Sequence, residues 1–151
     1  MDELILDFTT KEGVIVSIAL LIIIVLSVIA NWRILEKAGE KGWKSLIPFY
    51  NLYVEHHIVG MSHTWFVLEI IFWFTELALD LIKGVPDSVV LACGIPIAIF
   101  TVIAELIYVN RLCDCFRKGI GFKIGMFFIP FIFDFILGYG KAEFHHPEEK
   151  Q

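Results

Sequence analysis

The chain has 151 residues, of which 58% are hydrophobic, with a mean hydropathy of +0.76 and a formal net charge of −5. No water-facing surface tolerates that apolar fraction, so an ordinary soluble domain is excluded and lipid is the expected solvent. Much of the acid sits at the two ends, in Asp2, Glu3, Asp7 and Glu12 and in Glu143, Glu148 and Glu149, and no basic patch points to nucleic acid.

The first apolar run, about residues 13–33, follows an acidic start and lacks a small-residue cleavage pattern. It is expected as a retained helix rather than a removable signal peptide. Its uncharged stretch of roughly 20 residues, at about 1.5 Å each, matches a hydrocarbon core of about 30 Å. The segment at about 43–60 alternates aromatic and polar residues through Trp43, Phe49, Tyr50, Tyr53, His56 and His57. A helix lying in the cytoplasmic interface is expected there, begun near Pro48 and ended near Gly60, with Trp43, Pro48, Tyr50, Asn51 and Tyr53 as its anchor.

A second span, about 63–82, contains Glu69, Glu76 and Asp80, and a third, about 88–110, contains only Glu105. The fourth, about 123–140, is short and holds both Pro130 and Asp134; it crosses tilted or kinked, or it is partly re-entrant. The expectation is an all-α membrane protein of four transmembrane helices plus the interfacial aromatic helix, with residues 1–151 forming a single membrane domain.

Arg33, Lys37, Lys41 and Lys44 follow the first span, and Arg111, Arg117, Lys118 and Lys123 lie between the last two. The excess of positive charge in cytoplasmic loops places both groups inside, and it leaves the N-terminus and the C-terminus outside a multi-pass cell membrane protein. Cys93 lies in an apolar run and Cys113 and Cys115 in a basic loop, so reduced thiols are expected rather than a disulfide framework.

The segment EKAGEKGWKSLIPFYNLYVEHHIVG, Glu36 to Gly60, and the later FRKGIGFKIGMFFIPFIFDFILGYG, Phe116 to Gly140, carry two hallmarks in order. With GW followed by IPxYN, and then a KGxGFxxGxxxxPFIFxxILGFG ending, the chain resembles a family of small multi-span prokaryotic membrane proteins. The resemblance covers about two-thirds of the chain and implies the fold; it implies no reaction, although some members are labelled as, or sit beside, signal peptidase I. Asp134 departs from the apolar or aromatic residue usual after PFIF, and Glu69, Glu76 and Asp80 fall in the variable part.

Carboxylates at the centre of a span cost roughly 2.5 to 3.5 kcal/mol each on insertion scales when charged and facing lipid. Glu69, Glu76, Glu105 and Asp134 are therefore expected inside the bundle, protonated or paired. Glu76 and Asp80 return to within about 20° of Glu69 on a helix, which makes one acidic stripe. Counted by depth, Glu69 with Glu105 and Glu76 with Asp134 suggest two acidic layers, and Asn31, Arg33, Asn110 and Arg111 stand near the inner mouth. Such a stack suits a proton relay or a cation site; the bland alternative is that each acid is neutral or locks one helix to the next.

His56, His57, Cys113 and Cys115 are weak metal candidates, because HH with CDC is not a strong ligand spacing, and His63, His145 and His146 add little. Lys44 beside Ser45 lies on the wrong side for a signal-peptidase dyad, and Asp80 with Asp134 lacks a protease context. No cofactor is expected. The leading functional expectation is binding or conduction of a cation, proton or small cationic solute. The alternative is a scaffold or accessory protein holding a membrane protein partner or anionic lipid through its basic loops, and a membrane enzyme comes third. A homo-oligomer is compatible with either.

Overall fold

The computed structural model describes residues 11–82 and 84–147, without the side chains of Glu12 and Asp80, and among them every regular element is helical. In chain order these are α1 (Lys11–Lys37), a 3-10 turn (Gly42–Leu46), α2 (Pro48–Ile58), α3 (His63–Leu81), α4 (Asp87–Cys115), α5 (Ile120–Phe128) and α6 (Pro130–Tyr139). Two stretches are long and apolar enough to cross a membrane, Gly13–Lys37 and Asp87–Cys115. Only 11% of each apolar window is buried, which distinguishes both from the core helix of a water-soluble domain. Ile15, Leu21 and Ile24 on α1 present their side chains outward to a solvent that accepts apolar surface. α3 has 19 residues but carries Glu69, Glu76 and Asp80.

α1, α2 and α4 finish at one end of the bundle with the same device. At α1 the Glu40 N–H donates to the Leu35 carbonyl at 2.9 Å and Gly39 N–H to Glu36 at 3.1 Å. At α2 the donors are Met61 to His56, 2.9 Å, and Gly60 to His57, 3.1 Å; at α4 they are Lys118 to Cys113, 2.8 Å, and Arg117 to Asp114, 3.0 Å. This paired pattern satisfies carbonyls left over at a helix end and requires one left-handed residue. Gly39 (φ 81°) and Gly60 (φ 68°) supply it without a Cβ, whereas on α4 the position is held by Arg117 at φ 52°.

The segment expected as a single fourth span, about 123–140, is instead two short helices folded back on one another. Pro130 has no amide hydrogen and opens α6, and Ile129 before it turns out of helical geometry at φ −137°, ψ 63°. Phe122 meets Phe133 edge-on with ring centroids 4.7 Å apart, although one continuous helix would separate them by roughly 16 Å. Gly125 makes the turn-back close: a Cβ there would lie 2.1 Å from the Phe133 ring. Arms of 9 and 10 residues reach about 14 Å, or half of a hydrocarbon core of about 30 Å.

Lys37 fixes the returning arm. Its ammonium donates to the carbonyls of Leu137 (2.5 Å), Gly140 (2.7 Å) and Ala142 (3.1 Å). Beyond α6 the chain passes across the helix ends, with the His145 N–H on the Cys115 carbonyl at 2.8 Å and Phe144 against Phe116 at 5.3 Å. The described C-terminal residues therefore share the end of the bundle that carries the basic loops. A full fourth span would have carried them to the opposite end; the hairpin, like the re-entrant alternative, returns them to this one.

In the segment expected in the interface, about 43–60, the helix begins at Pro48 after a turn at Ile47, and α2 runs antiparallel along α3. The rungs are Phe49 on Trp73 (5.5 Å), Tyr53 on Phe66 (5.6 Å) and His57 on His63 (6.2 Å). Phe49, Tyr53 and His57 thus find the aromatic face of a neighbouring helix, while Trp43 and Tyr50 remain exposed. Pro48 opens α2 as Pro130 opens α6, within the same tripeptide Ile-Pro-Phe at 47–49 and 129–131, each following one of the two long helices.

Packing is uneven along the bundle. Leu35, Val59, Leu112, Cys113 and Leu137 are fully buried at the basic end, while the opposite halves of α1, α3 and α4 leave most side chains exposed or half-buried. Replacing Arg117 by Gly is expected to raise stability by about 1 kcal/mol, since it relieves a left-handed non-glycine residue, and Gly60→Ala is expected to lower it by a similar amount. Thermal unfolding in detergent micelles checks both signs.

Candidate functional site

Five helices bring polar side chains to one level just below the packed end. α2 supplies most of them, because Asn51 and Glu55 are four residues apart on one face and His56 points to the next. Asn31 on α1 donates through its amide to Asn51 Oδ1 at 3.1 Å and also to Glu55 Oε1, which Asn51 Nδ2 reaches at 2.9 Å. His56 is 4% exposed. Its Nδ1 lies 2.8 Å from the Leu52 carbonyl oxygen and its Nε2 3.4 Å from Glu69 Oε1 on α3. Tyr108 on α4 stacks on the imidazole with centroids 6.2 Å apart. Glu105 of α4 lies within electrostatic range of Glu69 and His56, and Asp134 of α6 within range of Glu55 and Glu105.

The layer is sealed on one side only. Toward the basic end four of the five helices bury an apolar residue at or just past their ends, Leu35 beyond Asn31, Val59 beyond Glu55, Leu112 beyond Glu105 and Leu137 beyond Asp134. Away from that end Glu105 is exposed, and Asn31, Glu55, Glu69 and Asp134 are half-buried. Four carboxylates gathered beside apolar packing are costly while ionised and unpaired.

The expected two acidic layers are corrected to one. The α5–α6 hairpin carries Asp134 back to the level of Glu105, which a continuous span would have separated from it. Glu76 is exposed on α3 and the Asp80 side chain lies outside the described residues, so of that stripe only Glu69 joins the layer. Of the inner-mouth group only Asn31 does. Arg33 pairs with Glu36 at 3.0 Å and covers the Tyr139 ring, Asn110 accepts from Lys123 at 2.6 Å, and Arg111 donates to the Gly60 carbonyl at 2.5 Å.

Trp43 and Tyr50 stack at 6.2 Å, and Tyr50 stacks on Tyr53 at the same distance. Among the described residues no three of His, Cys, Asp and Glu are arranged to hold a metal ion. His57 is exposed, Cys113 rests on Met126 with its sulfurs 3.5 Å apart, and Cys115 is buried. Lys44 is held by Glu40, whose carboxyl it lowers, and Ser45 is buried, which leaves this adjacent pair no dyad geometry.

Glu55 and Tyr108 are the members that sequence reasoning missed. The spacing of Asn51 and Glu55 was a usable signal, but a helix in the interface turns such residues to water. Asn31→Leu is expected to cost about 1 to 3 kcal/mol, because Glu55 loses a donor while staying in place. Adding Glu55→Gln recovers part of that loss, as a double-mutant cycle of thermal unfolding measures.

No curated protein and no solved structure matches the chain. Residues 43–147, which include Glu55, Glu69, Glu105 and Asp134 but not Asn31 or Lys37, match a family of unknown function, and the chain belongs to that family, DUF5684.

Proposed function

We propose that the chain is a polytopic membrane protein that binds, and passes on, a proton or small cation at the carboxylate layer. The observation that carries this reading is the convergence of Glu55, Glu69, Glu105 and Asp134 from four separate helices, with an apolar seal on one side alone. In this reading α1, α3 and α4 cross the bilayer, while the 3-10 turn with α2 and the α5–α6 hairpin enter from the basic side and return to it. Irregular backbone at membrane depth is tolerated where it is enclosed by protein, and paired half-helices are a recurrent way to build an ion site there. The positive-inside rule places the basic end in the cytoplasm, with the N-terminus outside and the C-terminus inside.

The scaffold reading has less support, since the cations it needs are engaged internally: Lys37 on α6, Lys44 on Glu40, Lys123 on Asp114 and Arg111 on Gly60.

Glu105→Gln combined with Asp134→Asn is expected to reduce cation or proton flux in proteoliposomes by about tenfold or more, the scale of one lost charge interaction. Unchanged flux would remove the basis of this reading. A reporter that matures only in the cytoplasm, fused after Gln151, is expected to be active; a reporter active only outside, at the same position, would overturn the topology.

A further inference from the structure

His56 Nδ1 faces a carbonyl oxygen at 2.8 Å, and a carbonyl can only accept. The imidazole hydrogen of the neutral ring therefore sits on Nδ1, and Nε2 carries a bare lone pair. That lone pair has no hydrogen-bond partner although His56 is 4% exposed. It points at Glu69 Oε1, 3.4 Å away. Two acceptors facing each other in a buried place repel one another unless something positive joins them.

We propose that the ion of this site is a proton, seated between His56 Nε2 and Glu69 Oε1 and exchanged with the open side of the layer rather than with the basic end. The proposal rests on the reading of the carboxylate layer as a cation site and names its occupant. The groups around His56 are all of one kind: Glu55 on its own helix, Glu69 on α3, Glu105 and the Tyr108 ring on α4, and Asp134 behind Glu55 on α6. Each carboxylate favours the imidazolium and none of these groups competes with it. The one proton added converts a neutral imidazole and a carboxylate into an ion pair, and its loss restores the two facing acceptors. A metal ion has less to hold, since no third His, Cys, Asp or Glu among the described residues completes a ligand set. Leu35, Val59, Leu112 and Leu137 close the route to the basic end.

The test is a titration of the full chain in lipid nanodiscs, with histidine side chains labelled with nitrogen-15 and His56 assigned by comparison with His56→Gln. His57, His63, His145 and His146 serve as internal references. The expected result is an Nδ1–H tautomer at high pH and proton uptake on Nε2 with a midpoint that Glu69→Gln lowers by at least about one pH unit, or tenfold in proton affinity. An unshifted midpoint in Glu69→Gln, or an Nε2–H tautomer, overturns the proposal. Displacement of the bound proton by millimolar manganese or sodium at constant pH also overturns it in favour of a metal or alkali cation. If His56 fails these tests while Glu105→Gln with Asp134→Asn still abolishes flux, the proton assignment falls and the cation site stands.

Discussion

The arrangement depends on a single ammonium group at the end of α6. A helix end leaves carbonyls without partners, and at the depth of a membrane surface few neighbours other than protein can serve them. Lys37 answers three of them at once from α1, and as a cation at a helix C-terminus it also meets the negative end of the dipole. Holding α6 against α1 holds the α5–α6 hairpin in the bundle. Asp134 then stands beside Glu55 and Glu105 instead of across the membrane from them.

Two broken segments give the molecule its character. Each begins its inner helix with Ile-Pro-Phe, each follows a long apolar helix, and each contributes acid to the layer, Glu55 from α2 and Asp134 from α6. Proline at the first helical position is cheap because that amide would be orphaned anyway. It also disfavours helical geometry at the preceding residue, and at Ile47 and Ile129 the chain leaves the helix, so the same dipeptide both ends the descent and starts the return.

The helical class and the two long apolar helices were legible in the sequence, because length and hydropathy act locally. What the sequence left open was the choice between a kinked span and a re-entrant fold-back at Pro130. An apolar run interrupted by proline is a kinked span or a hairpin according to whether its two arms find better partners in each other, and that is decided by Gly125 accepting Phe133 and by Lys37, over 90 residues upstream of Pro130 in the sequence. The same ambiguity hid Glu55. A segment of alternating aromatic and polar residues looks like an interfacial anchor until α3 supplies a second aromatic face.

The Lys37 contact with Leu137, Gly140 and Ala142 joins residues 100 to 105 positions apart. A ribosome adding roughly 5 to 20 residues per second needs several seconds to make that interval. During that time α1 is already made, and Asn31 waits without the last helix of its bundle. The carboxylates of α3 and α4 arrive before the segment that encloses them. Closure of the layer therefore waits for α6, and a chain cut short before α6 would leave Asn31 and the carboxylates of α3 and α4 without the helix that packs over them.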